Sequence, residues 1–185
     1  MKEEFLNLLK QVKREGMEDL IKFIEEKTDF FTAPASTRFH GSEESGLLKH
    51  SLKVYEILEQ KVKTSSLPME VDEATIRIVA LLHDICKTNF YTVDYRNAKN
   101  ELGVWEKVPF YKIEDTIPYG HGEKSVMMIT EYIKLTSEEK YAIRWHMGYT
   151  EPKELYNTIG AAYTKYPFAL LVHEADLEAT CFFNT

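Results

Sequence analysis

Apolar residues recur at three- and four-residue intervals along most of this chain, the period of a helix that buries one face. Phe5, Leu8, Leu9 and Val12 follow it, as do Met17, Leu20, Ile21 and Ile24, with Gly16 between the two runs. Residues 32–46 are rich in Thr, Pro, Ser and Gly and read as a loop. Leu47, His50, Val54 and Ile57 then share one face of a helix expected over about 47–62, which Ser65 to Pro68 ends. Asp72 is placed to cap the next helix, expected to run to about Lys87, with Ile76, Val79, Ala80 and His83 on its buried face. Thr136 with Glu139 has the capping-box spacing ahead of a helix ending near Gly148. A further helix is expected from Glu151-Pro152, and Pro167 suits the first turn of the last one.

One stretch breaks this rhythm. Between residues 89 and 117, Tyr91, Val93 and Tyr95 alternate with polar residues, Asn100 to Gly103 reads as a turn, and Val104 to Ile113 returns with a second alternating run. Pro109 suits an edge strand. The expectation is an all-α fold: a helical bundle with a small inserted β-hairpin at about 89–115, forming a single domain over residues 1–185. A chain of 185 residues can bury a sufficient core without covalent staples, and two cysteines, Cys86 and Cys181, make no disulfide framework. The acidic start, Met1-Lys2-Glu3-Glu4, lacks the basic and apolar regions of a secretory signal, and no apolar run is long enough to span a bilayer. A cytoplasmic protein without a membrane partner is expected; a homo-oligomer stays open. Lys and Arg number 23 against 30 Asp and Glu, a net charge of −7. That excludes the broad basic face of a binder of long nucleic acid, yet leaves room for a small positive site such as a bound metal.

The six histidines carry the chemistry. His50, His83 and His146 fall on inward faces of expected helices, and His121 opens one. Asp84 follows His83 directly, and Asp176 shares an apolar stripe with Ala169, Val172 and Ala179. A carboxylate on such a stripe is costly unless it is paired or bound to a metal. Each residue alone fits a satisfied core histidine or a paired acid; the ordered series on successive helices favours a metal site. Imidazole and carboxylate together suit Fe, Mn, Co, Ni or Zn, with Mg as a further option. Asp84 has two oxygens and could bridge two ions, an arrangement suited to phosphoester hydrolysis.

The series His50, His83-Asp84, His121, His146, Asp176 resembles the H…HD…H…H…D signature of the HD superfamily of metal-dependent phosphohydrolases. Ser45 to Ser51 looks like that family's first helix entry, and Leu81-Leu82-His83-Asp84-Ile85-Cys86-Lys87 like its central segment. Gly120 to Ser125 and Arg144 to Gly148 look like later helices of stand-alone bacterial members, and the likeness extends over about residues 32–182. The resemblance implies an HD-domain bundle in which His50, His83, Asp84 and Asp176 hold a first divalent metal. It implies that Asp84, His121 and His146 hold a second. It further implies a phosphatase or phosphodiesterase that turns metal-activated water on a small phosphoester, a nucleotide for preference, with Asp84 and Lys87 as catalytic residues. Three features depart from the family pattern: Cys86 stands where many members have Gly, the hairpin is an insertion, and no GYP motif follows. The same ligand series also resembles di-iron HD oxygenases, and a non-catalytic metal-bound regulatory module is a third alternative.

Other residues have two readings each. Lys87, four residues after His83, is a phosphate contact by resemblance or an exposed lysine at a helix end. Lys124, with Ser125, opens a helix beside His121 and is a substrate contact or a surface first turn. Arg38 and His40 reach substrate from their loop or remain solvated. His173 is a packed core residue in preference to a partner of a ligand, Arg144 a structural salt bridge, and Cys86 a small buried thiol. The aromatic hairpin forms a base-stacking wall or a packing flap.

Overall fold

The computed structural model describes residues 1–37, 41–183 and 185. Arg38 and His40 lie outside the described residues. Helix accounts for 57% of the described residues, against a single two-stranded sheet among them, which makes the class all-α with a small hairpin. The helices are α1 (Lys2–Lys10), α2 (Met17–Lys27), α3 (Gly46–Thr64), α4 (Glu73–Leu82), α5 (Gly122–Thr130), α6 (Ser137–Trp145), α7 (Tyr156–Lys165) and α8 (Pro167–Phe183). Strands β1 (Tyr91–Lys99) and β2 (Trp105–Ile113) lie between α4 and α5 and pair antiparallel, from Tyr91 opposite Ile113 to Lys99 opposite Trp105.

The apolar stripes read from the sequence meet in one core. α3 packs along α8 and α4, and α6 along α8 and α5. Phe5, Leu20, Phe30, Leu47, Ile78, Leu81 and Phe168 are wholly buried in one cluster, which includes the faces of α1 and α2. Asp72 caps α4 by accepting from the Thr75 amide at 2.7 Å. The capping box of α6 is formed: the Glu139 amide donates to Thr136 Oγ1 at 3.2 Å, and the Thr136 amide to Glu139 Oε2 at 2.7 Å. The hairpin turn is held by Asn100, whose Oδ1 accepts from the amides of Leu102 and Val104 at 3.0 Å each.

Two boundaries depart from the sequence reading. The helix expected to reach Lys87 ends at Leu82, because Asp84 leaves helical backbone (φ −105, ψ 16) and Ile85–Lys87 form a single 3-10 turn. The apolar pattern ran on because Ile85 and Cys86 are buried on the turn itself. Lys87 therefore does not share a helix face with His83. The helix expected from Glu151-Pro152 begins at Tyr156, after a 3-10 turn over Lys153–Leu155. No helix among the described residues is long and apolar enough to cross a membrane.

Candidate metal centre

Helix ends deliver most of the site. His83 is the C-terminal cap of α4 and His146 that of α6, and both rings turn back on their own helix. His83 Nδ1 donates to the Ala80 carbonyl at 2.9 Å, and His146 Nδ1 to the Ile143 carbonyl at 2.7 Å. His121 stands at the start of α5, His50 lies in the second turn of α3, and Asp176 on α8. His50 Nδ1 meets the Thr185 carbonyl at 3.1 Å, and His121 Nδ1 meets Cys86 Sγ at 3.2 Å. A carbonyl only accepts, so Nδ1 of His50, His83 and His146 carries a proton, and Nε2 of each ring faces inward.

The inward atoms form two groups on either side of Asp84. His50 Nε2 lies 3.3 Å from His83 Nε2 and 3.1 Å from Asp176 Oδ1. Asp84 Oδ2 stands 3.6 Å from His50 Nε2 and 3.5 Å from His83 Nε2. Its other oxygen, Oδ1, lies 2.9 Å from His121 Nε2 and 3.5 Å from His146 Nε2. Tetrahedral coordination with bonds of about 2.1 Å sets ligand atoms ~3.4 Å apart, so both groups have the spacing a metal requires. Asp84 Oδ1, His121 Nε2 and His146 Nε2 are buried without a hydrogen-bond partner among the described residues. Buried nitrogen and oxygen atoms left unpaired at such distances are a set that a divalent ion would satisfy. The donor set therefore fits divalent metal, and His50, His83, Asp176 and His83, Asp84, His146 are both candidate ligand groups.

The local field agrees. Burial pushes the His83 ring down to about 3, against the pull of Asp84, so it stays neutral and able to ligate. Burial alone would raise the Asp84 carboxyl, but the Lys87 ammonium and the surrounding histidines hold it well below the ordinary carboxylate range. Asp176 is half-buried; desolvation would raise its carboxyl, but His50 above all holds it down. Lys87 Nζ sits 2.7 Å from Asp84 Oδ2, and that anion outweighs burial and raises its pKa.

The structure thus brings together His50, His83, Asp84, His121, His146 and Asp176, with Lys87 beside them. Lys124 is less open: its buried ammonium is 2.8 Å from Asp115 Oδ1, in a cavity of 170 Å³ that Lys87 and His121 also line. A neighbouring cavity of 260 Å³ has Asp84, Lys87, His121 and Asp176 in its lining. A larger one of 530 Å³ beside Tyr141 and Trp145 touches none of the clustered residues. Arg144 forms the expected salt bridges, to Glu123 at 2.5 Å and Glu151 at 2.6 Å. Cys86 is a buried thiol, its pKa pushed up to about 12 by burial; it lies near Asp84 and His121, but a ligand must be a thiolate. Sequence reasoning had no signal for its contact with His121, nor for the Thr185 carbonyl behind His50. His173, expected in the core, is half-buried instead, with Nδ1 donating to the His146 carbonyl at 2.7 Å.

A family model described as HD domain matches residues 47–183. The chain belongs to the HD-domain family. That family consists largely of metal-dependent phosphohydrolases. The match opens in the first turn of α3 and closes at the end of α8, so all six clustered residues fall within the HD domain. No curated protein and no solved structure matches the chain.

Proposed function

We propose that this HD-domain protein is a metal-dependent phosphohydrolase acting on a nucleotide or a related small phosphoester. The two-sided placement of Asp84 carries the reading: one carboxylate with a group of nitrogen donors facing each oxygen. His50, His83, Asp84 and Asp176 would hold one divalent ion, and Asp84, His121 and His146 a second. Metal held there supplies Lewis acidity, lowering the pKa of water toward neutrality and drawing charge from phosphoryl oxygens. The chain's own part is to orient. Backbone carbonyls behind His50, His83 and His146 fix which ring nitrogen faces inward, and the Lys87 ammonium gives a phosphoryl oxygen a fixed positive partner. A cavity of 260 Å³ sits below the usual range for small-molecule sites, about 300 to 1,000 Å³, which supports a small ester. The net charge of −7 weighs against long nucleic acid as a partner. Two free cysteines fit a reducing cytoplasm.

Elemental analysis of protein purified without oxygen, followed by a phosphoester panel, tests the reading. About two equivalents of Mn, Co, Ni or Zn with turnover of small phosphoesters is expected. One equivalent with turnover would reassign His121 and His146 to substrate contact. Bound iron with oxygen consumption and no ester cleavage would overturn the proposal in favour of an oxygenase. Full metal without any turnover would leave a regulatory module.

A further inference from the structure

The hairpin has two outer edges, and they differ. Opposite residues of an antiparallel pair alternate between those that exchange backbone hydrogen bonds and those whose amides and carbonyls point away. The Glu114 amide donates to the Phe90 carbonyl at 2.9 Å, and the Asn100 amide to the Val104 carbonyl at 3.0 Å. In this register the even-numbered residues of β1 bond to β2, and Tyr91, Val93, Tyr95, Asn97 and Lys99 turn their backbone groups outward. Pro109 stands opposite Tyr95. Its missing amide leaves a gap in the middle of the outer edge of β2, whereas the outer edge of β1 has every donor. Among the described residues that edge makes one backbone bond, a local one: the Tyr95 amide donates to Asp94 Oδ1 at 2.7 Å.

An exposed edge of nine residues is a template for another strand. Charge decides which strand fits. Asp94 and Arg96 flank Tyr95, both are exposed, and neither forms an ion pair among the described residues. Let a second copy of β1 lie antiparallel with Tyr95 on the two-fold axis. Asp94 then faces the partner's Arg96, and Arg96 faces the partner's Asp94. Both are pairs without backbone bonds, in which side chains come closest. A slip that puts Asp94 or Arg96 on the axis instead sets like charges opposite each other, which is destabilising. The Tyr95-centred register also pairs all nine residues, ending with Tyr91 against the partner's Lys99. It sets Tyr95, 63% exposed, beside the partner's Tyr95, with Val93, 56% exposed, diagonal to that ring. The two helical bodies lie at opposite ends of the joint sheet.

We infer that this chain forms a two-fold dimer by pairing β1 with β1 of a second copy, in the register set by Asp94 and Arg96. The result is a four-stranded sheet, in which a hairpin of marginal stability gains a neighbour. The pairing does not involve the metal centre. One strand per chain makes a small interface, so a Kd of about 10 to 100 µM is expected.

Sedimentation velocity of the metal-loaded protein between about 1 and 200 µM tests it. The wild type should pass from monomer to dimer across this range. Asp94→Arg and Arg96→Asp should each stay monomeric, because each sets like charges face to face, and both should keep the wild-type helical circular dichroism. An equimolar mixture of the two should associate at least as well as the wild type, since two positive charges on one chain then meet two negative charges on the other. The double variant should dimerise again. A wild type that stays monomeric overturns the inference and leaves the edge to a strand of a different protein. A dimer that survives both single substitutions overturns it by placing the interface elsewhere. A mixture that stays monomeric overturns the register.

Discussion

His83 shows how one buried ring ties the site to the stability of the fold. Burial lowers its pKa from 6.5 to about 3. The unfolded chain takes up this proton near pH 6.5, while the folded, metal-free protein refuses it until near pH 3. Stability from the neutral ring is thus complete above pH 6.5 and lost as the pH falls, by about 4 to 5 kcal/mol across the window. Asp84 and Asp176, both held low, add their own loss once the pH drops below the ordinary carboxylate range. His146, raised by Asp84 against the effect of burial, works the other way: its contribution is present in acid and lost as the pH rises through its folded value. Denaturant midpoints of metal-free protein should therefore fall between about pH 6.5 and 4, and His83→Asn should flatten that slope. A wild-type midpoint that holds steady across this range would contradict the buried neutral ring. Lys87 predicts a different signature. Lys87→Ala should lower kcat by about tenfold to a hundredfold while metal per chain stays constant, since the ammonium meets anions and not metal. Metal loss in that variant would make Lys87 a structural partner of Asp84. These residues were legible in the sequence because imidazoles and acids on apolar helix faces must be partnered. His173 was not, because its place at a cavity depends on the left-handed turn at Gly148, which periodicity does not record.

The ligands depend on where helices stop and how closely they approach. α4 and α6 end in the same way, with a histidine cap bonded to a carbonyl three residues back. The sequence located both histidines but extended α4 to Lys87, because buried Ile85 and Cys86 continue the apolar count after the helix has ended. Close approach places His121. Gly122 lies so tightly on α6 that a Cβ would sit 2.4 Å from the Arg144 carbonyl oxygen. Gly122→Ala should push α5 outward and separate His121 from His146, costing about 1 to 3 kcal/mol. The readout is metal content: loss of about one equivalent with the first retained. Unchanged metal with unchanged stability would show that α5 does not set the second group. The hairpin is the opposite kind of element. Its strands pair with each other, and Val93, Tyr95, Trp105 and Ile113 are exposed. Replacing residues 93–111 with a short Gly-Ser turn should leave the helical circular dichroism signal and Tm nearly unchanged. A large fall in Tm would make the hairpin a packing flap after all.

At the scale of the molecule, the HD match begins at Leu47, yet the core does not. Phe5, Leu9, Leu20, Ile24 and Phe30 are buried with residues of α3, α4 and α8 in one cluster. One buried carboxylate joins the two parts. Glu139, fully buried, caps its own helix, accepts from Thr75 Oγ1 on α4 at 3.1 Å, and receives Arg14 Nη1, from the α1–α2 connection, at 2.6 Å. The sequence disclosed its first duty, since Thr136 and Glu139 have the capping-box spacing. The other two join residues far apart in the chain, and spacing carries no trace of them. Removing such a carboxylate leaves the half-buried Arg14 cation, the Thr75 hydroxyl and the Thr136 amide without their shared acceptor, a larger loss than that of an exposed pair. Glu139→Ala should therefore cost about 3 to 5 kcal/mol, read as a lower denaturant midpoint. Arg14→Ala should cost less, because the Glu139 carboxylate keeps Thr75 and the Thr136 amide as donors. Metal per chain should remain unchanged in both variants while they stay folded, because Glu139 touches none of the clustered ligands. If the two substitutions cost the same, the Arg14 contact accounts for the whole role of Glu139. If neither shifts the midpoint, α1 and α2 are held by apolar packing alone.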